Sequence, residues 1–330
     1  MIPEKITSID KLINITSKDM GRVNDLIIQR TLSDTEIIPK ISQYLISSGG
    51  KRLRPMLTIS ASQMCECKNE HHISLAASVE FMHTATLLHD DVVDDSSMRR
   101  GKISARMLWG NEASVLVGDY LLGEAFKMMV DAKSLESLEV LSSAASIIAE
   151  GEVMQLVYSN KINISEEQYF KIINNKTAKL FSAASEVGAI ISDSSTDFRN
   201  SLRDYGQYLG IAFQLSDDAL DYSSTNDALG KDIGDDFYEG KITFPVIAAY
   251  RKSSAIEKKV WEELHNKVDK DHDDFNTVLE LLESKNAINI TLDEAKKYGQ
   301  KAIDALQVFP KSDIRDALIE GAHFSYSRKS

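Results

Sequence analysis

The chain has 330 residues, 43% of them hydrophobic, and a formal net charge of −12. That apolar fraction supports a sizeable core and excludes a disordered chain. The negative balance argues against nucleic acid and against electrostatic docking on an anionic membrane, because both depend on Lys and Arg meeting phosphates.

The N-terminal stretch "MIPEKITSIDKLINITSKDM" is amphipathic and charged, without the apolar centre of a secretory signal. No charge-free apolar run approaches the ~20 residues that span a bilayer, so no transmembrane segment is expected and the location is read as cytoplasmic. Next, "SSGGKRLRP" at 47–55 combines a double glycine with a proline stop and reads as a loop. Cys65 and Cys67, in "CEC", are the only cysteines. Two residues apart on a helix they can hardly bridge, and His71 and His72 do not complete a zinc pattern, so reduced thiols are expected.

"SLAASVEFMHTATLLHD" and "SVLVGDYLLGEAFKMMVDA" are rich in Ala, Leu, Met and Glu, which favour helix. Of five prolines, none lies between Pro55 and Pro245, which suits long helices and not a turn-rich β-protein. "SDSSTDFRN" at 192–200 reads as a turn. The longest polar stretch, "DYSSTNDALGKDIGDDFYEGKITFP" at 221–245, is long enough to suggest a functional loop. From about residue 251 the chain is more charged and is expected to form peripheral helices. No repeat or linker divides it. The expected fold is all-α, a single domain over 1–330 with helices bundled around a central cavity.

Two acidic motifs stand out. "HDDVVDD" places Asp90, Asp91 and Asp94 at D-D-x-x-D spacing, and "QLSDDALDY" repeats that spacing with Asp217, Asp218 and Asp221. On a helix, Asp90 and Asp94 lie about 40° apart, one turn along, with Asp91 on the flank. One such motif is explained by a solvated helix face. Two copies, each embedded in apolar sequence, point to a shared site. Carboxylates converging in a helical cavity repel by ~4 kcal/mol per close pair at an effective dielectric near 20, and left alone they would take up protons. Hard oxygen ligands with open positions suit Mg²⁺, which typically also binds substrate phosphates. Cations able to hold the same anion are present: Lys51, Arg52 and Arg54 in "GGKRLRP", Arg99 and Arg100 in "RRG", Lys176 with Thr177 in "NNKTAKL", and Lys231 in "LGKD".

With these motifs in order, from "GGKRLRP" through "HTATLLHDDVVDDSSMRRG", "GNEASVLVGDYLL", "KTAKLF" and "FQLSDDALDY" to "LGKDIGDDFYEGK", the chain resembles the trans-polyprenyl diphosphate synthases over nearly its whole length. Within that family it resembles the bacterial octaprenyl diphosphate synthases. The resemblance implies the all-α isoprenoid synthase fold, a homodimer or related oligomer, and two or three Mg²⁺ ions. It also implies repeated condensation of an allylic diphosphate with isopentenyl diphosphate, giving a polyprenyl chain for a quinone. Asp90, Asp94 and Asp217 match the metal ligands, with Asp91, Asp218 and Asp221 beside them. Lys51, Arg54, His83 and Arg100 match positions that hold isopentenyl diphosphate. Arg99, Lys176, Thr177, Gln214 and Lys231 match those around the allylic diphosphate. Short-chain members tend to carry aromatic rings where this chain has Ala85 and Thr86, so a long product is expected. Asp95 adds an acid, and Ile242 replaces a more usual proline. The competing readings are a short-chain (farnesyl or geranylgeranyl) synthase, a class I terpene cyclase, which needs no isopentenyl site, and a non-catalytic regulatory subunit, which should have lost an aspartate motif.

Overall fold

A computed structural model describes residues 9–223 and 234–327. The amphipathic start forms α1 (Asp10–Arg30), which buries Leu12, Thr16, Val23 and Ile27, a stripe with helical spacing. After α2 (Ile37–Ser47) the double glycine makes the turn into α3 (Leu53–Met64). Pro55 does not stop a helix, as the sequence suggested. It sits in the first turn of α3, where a missing N–H costs no intrahelical bond.

The central helix is α4 (His71–Val93), buried on most sides through Leu75, Val79, Phe81, Met82 and Leu88. Beyond it a two-residue-per-strand hairpin pairs β1 (Met98–Arg99) with β2 (Lys102–Ile103), a small departure from the all-helical expectation. Then come α5 (Ala105–Trp109), α6 (Asn111–Asp131), which packs along α4, and α7 (Leu135–Tyr158). Among the described residues α7 is the one helix long and apolar enough to cross a membrane by length and composition, and only 22% of its apolar window is buried within the chain.

A capping box on Ser165 and Gln168 starts α8 (Glu166–Ile173). One turn of π-helix, Asn174–Ala178, joins it to the buried α9 (Lys179–Ile190). The longest helix, α10 (Thr196–Asp221), crosses two cores. Its Leu202, Tyr205 and Leu209 belong to the apolar cluster of α1, α3, α4, α6 and α9, whereas Ile211 and Leu215 belong to a second cluster.

That second core is built with α11 (Asp235–Tyr238), α12 (Phe244–Lys252), α13 (Ala255–Asn266), α14 (His272–Ser284) and α15 (Ala287–Ala305), before α16 (Asp313–Ser327) returns to the first. Phe237, Trp261, Phe275, Val278, Leu282, Ala287 and Ala295 are all buried in it. The C-terminal third is therefore not peripheral. Its inner faces build the second core, which packs behind the site.

Candidate active site

The ends of α4 and α10, the π turn, the hairpin and the start of α12 enclose a cavity of about 660 Å³. Both acidic motifs open into it. Asp90 and Asp94 come from α4 and Asp217, Asp218 and Asp221 from α10, with Arg99, Arg100, Lys176, Thr177 and Gln214 between them. Lys231 lies outside the described residues.

The first motif is clothed in cations. Lys241 Nζ donates to Asp94 Oδ2 at 2.7 Å and also to Glu239. Burial by itself would raise the Asp94 carboxyl, but Lys241 and Lys176 outweigh it and hold the group below the usual carboxylate range. Asp90 goes the other way: burial raises it, Lys176 opposes and Asp94 adds to the rise. Lys176 Nζ donates to Glu152 Oε2 at 2.7 Å. Burial, with Asp90 adding to it and Lys176 opposing, pushes Glu152 up to about 7. Gly151 allows this pairing, since a Cβ there would lie 2.7 Å from the backbone nitrogen of Lys176. The π turn supplies the rest, because its extra residue presents Lys176 and Thr177 to the same cavity.

Asp91 departs from the expected support of the metal ligands. A rotation of about 100° per residue carries it off the face shared by Asp90 and Asp94. It is fully buried, does not line the cavity, and accepts from Arg99 Nε at 2.7 Å. Its effect is to hold Arg99 in the cavity wall. Asp95 pairs with Arg106, and both Asp95 and Ile242 line the cavity.

The second motif is held by neutral donors. Asp218 accepts from Tyr169 Oη at 2.5 Å and from Gln214 Nε2 at 2.8 Å. Burial first, then Asp236 and Asp217, push it up to about 7. Asp221 accepts from the backbone N–H of Asp236 at 3.2 Å, and Asp235 and Asp236 add two more acids to the lining.

A small cleft adjoins the cavity through Arg99 and Arg100 and contains Glu80 and His83. Arg54 donates to His83 Nε2 at 3.2 Å and lies 4.3 Å over the Phe181 ring. Burial, with Arg54 and Arg100 adding to it, holds His83 well below its ordinary value, so the ring is neutral and accepts. Burial also draws Arg54 down to about 10, against the pull of Glu80. Arg100 donates to Gly49 O, and a Cβ on Gly50 would stand 2.5 Å from its guanidinium. The double glycine is what lets that arginine dock on the loop. Lys51, expected in this set, is exposed and stands 4.3 Å from the Phe324 ring centroid, away from both lining sets. Arg52 turns to Asn24 and to Ile46 O.

Ala85 and Thr86, the small pair expected to leave the cavity open for a long tail, do not line it: Ala85 is packed in the first core and Thr86 Oγ1 donates to His83 O at 2.8 Å. Sequence reading missed Lys241, Glu152, Tyr169, Asp235 and Asp236. For Lys241 and the two acids a signal was present, since "GDDFYEGK" sets a lysine in the longest polar stretch of the chain. Nothing local marks Tyr169 or Glu152.

Among the described residues no group of three or more Asp, Glu, His or Cys side chains converges closely enough to hold a metal by itself. The donor set still fits a hard divalent cation that keeps waters and takes one or two carboxylates plus phosphate oxygens, as Mg²⁺ does. Burial first, and neighbouring acids after it, raise the Asp90 and Asp218 carboxyls, so positive charge bound there would offset both.

The family profile described as Polyprenyl synthetase matches residues 35–282. The octaprenyl diphosphate synthase of Escherichia coli (strain K12) is 42% identical over 97% of this chain and 99% of its own. A solved polyprenyl synthase from Caulobacter crescentus CB15, complexed with calcium and isoprenyl diphosphate, superposes with a TM-score of 0.96 at 48% identity, covering 99% of this chain and 100% of that one. A decaprenyl diphosphate synthase from Rhodobacter capsulatus gives 0.92 at 42% identity, over 97% and 98% of the two chains.

Proposed function

The chain belongs to the polyprenyl synthetase family and is a transferase that makes a polyprenyl diphosphate, and from that premise we propose how its residues divide the work. The cavity with both acidic motifs receives the allylic diphosphate, and the adjoining cleft of His83 and Arg100, with Arg54 behind His83, receives isopentenyl diphosphate. The product is octaprenyl diphosphate, a reading supported by the likeness to the octaprenyl synthase. The observation that carries this division is the cavity that gathers Asp90, Asp94, Asp217 and Lys176 beside an adjoining cleft that shares Arg99 and Arg100 with it and adds His83.

Asp90, Asp94 and Asp217 would hold Mg²⁺. When bound, the ion neutralises charge on the diphosphate as it leaves. Arg99, Lys176 and Lys241 stabilise the same developing charge from fixed positions in a wall that excludes much of the water. Lys241 is already charged and paired with Asp94, so it meets the anion without reorganising. The allylic C–O bond breaks, the double bond of isopentenyl diphosphate forms the new C–C bond, and a proton leaves to the released diphosphate. No protein base is needed. Ile164, Ile172, Ile173 and Tyr158 supply apolar wall against which water cannot quench the cationic carbon. The neutral His83 and the partly desolvated Arg54 hold the second diphosphate in register.

Two copies of the chain pair through the outer faces of α6 and α7. Leu116, Val153, Leu156 and Val157 are each more than half exposed there, and a second copy would cover them. Purified protein given farnesyl diphosphate, isopentenyl diphosphate and Mg²⁺ should yield a forty-carbon product by chromatography. A product ending at fifteen or twenty carbons would replace the octaprenyl reading with the short-chain one. A cyclised hydrocarbon made without isopentenyl diphosphate would point to the cyclase.

A further inference from the structure

Tyr169 sits in the middle of α8, at a meeting point of three elements. Its ring packs against Phe170 and Phe244, with centroids 5.4 and 5.6 Å away, and is buried. Its hydroxyl donates to Asp218 Oδ2 at 2.5 Å, while Gln214 Nε2 donates to Asp218 Oδ1 at 2.8 Å. Thr177 Oγ1 in turn donates to Gln214 Oε1 at 2.8 Å. The four side chains thus form one connected set in which donors from the π turn, by way of Gln214, and from α8 converge on Asp218. Both oxygens of Asp218 are acceptors in it. Swinging that carboxylate toward the cavity would strand a buried donor, which costs the full desolvation of the group.

Packing explains the ring but not the hydroxyl. A phenylalanine would fill the same space beside Phe170 and Phe244. The hydroxyl's acceptor is instead the middle aspartate of the second acidic motif, tied through Gln214 to Thr177 at the proposed allylic seat. We infer that Tyr169 is a positioning residue of the reaction. Its hydroxyl fixes Asp218, and with it the turn of α10 that presents Asp217 and Asp221, in the orientation that receives a magnesium diphosphate. The relay makes the diphosphate seat and the second motif one rigid unit, while the adjoining cleft of His83 and Arg100, with Arg54 behind His83, lies outside it. This rests on the function proposed above.

The test is Tyr169→Phe in the full chain, which keeps the ring and removes only the hydroxyl. Inorganic diphosphate with Mg²⁺ is titrated calorimetrically, and steady-state kinetics are measured with each substrate varied. Loss of one charge-assisted hydrogen bond should weaken magnesium diphosphate binding and lower kcat/KM for the allylic substrate by about tenfold. The KM for isopentenyl diphosphate should stay within about twofold. Asp218→Asn should lose a similar factor, and the double variant no more than Asp218→Asn alone, because both changes remove the same contact. Unchanged diphosphate binding with only a lower Tm would make Tyr169 a packing residue and overturn the inference. Equal losses on both substrates, or additive losses in the double variant, would overturn it as well. A wild type that binds no magnesium diphosphate would instead remove the functional reading beneath it.

Discussion

At the end of α4, Asp94 accepts from Lys241 and Asp90 feels Lys176 and Arg99. At the end of α10, Asp218 accepts from a tyrosine and an amide and is crowded by Asp217 and Asp236. The two motifs share a spacing and a cavity, and burial raises Asp90 in the first as it raises Asp218 in the second, but the cations opposite the first motif reverse that rise at Asp94. Asp94 is held low by cations, whereas Asp218 is raised by burial and by other acids. D-D-x-x-D therefore specifies a face of a helix and not an electrostatic state. The state comes from what the opposite wall supplies, so the cation-rich motif is the better seat for an incoming anion and the acid-rich motif the better seat for further positive charge.

The harshest test removes that positive charge. Exhaustive EDTA treatment should abolish condensation, a fall of at least about a thousandfold, and Mg²⁺ should restore it. Undiminished turnover without metal would break the comparison, because the acid-rich side would then need no counterion. Next in size, Asp90→Asn should lower kcat by about a thousandfold, since this carboxylate faces the cavity as a proposed ligand. Asp218→Asn, whose oxygens are committed to protein donors, should cost only about tenfold. Equal kinetic losses would show that the two motifs do the same work.

The cations divide along the same lines. Arg100→Ala should raise the KM for isopentenyl diphosphate and Lys176→Ala that for the allylic substrate, each by roughly ten- to a hundredfold. Variants that disturb both substrates alike would merge the two seats. A subtler probe works on the α7 side of the first motif. Gly151→Ala forces a methyl against the π turn at Lys176 and should destabilise by about 1–3 kcal/mol, a Tm decrease of a few degrees, with a modest rise in allylic KM. A Tm equal to wild type would mean that the turn yields freely. The smallest structural change concerns product length along α4. Ala85 is packed in the first core and not in the cavity wall. Ala85→Phe, one to two turns before Asp90, should therefore shorten the product by a few isoprene units only where the tail runs along α4 into that core, read by chromatography. Unchanged long products from a folded variant would place the limit elsewhere.

Much of this was legible before any coordinates. Apolar periodicity and the proline gap identify an all-α chain, and 100° per residue puts Asp90 and Asp94 on one face. That Asp91, expected in support of them, turns to Arg99 instead was not legible, because the hairpin that carries Arg99 had no local signal. The double glycine could be marked as a turn, although its partner Arg100 could not, because that contact joins residues 51 positions apart. The charged C-terminal helices read as peripheral because only their solvent faces carry a strong signal. The buried Trp261 and Phe275 faces acquire meaning once α12 and α15 pack against them.

Local sequence determined the helices, the two acidic faces and the cations available to oppose them, because helix geometry relates residues a turn apart. Only the tertiary structure decided which charge meets which. Lys241 reaches Asp94 across 147 residues and Tyr169 reaches Asp218 across 49. Those pairings depend on how α10, α12 and the π turn cross α4 and α8. A carboxylate buried at such a crossing takes its charge state from whatever donor or acid the crossing brings within about 3–6 Å.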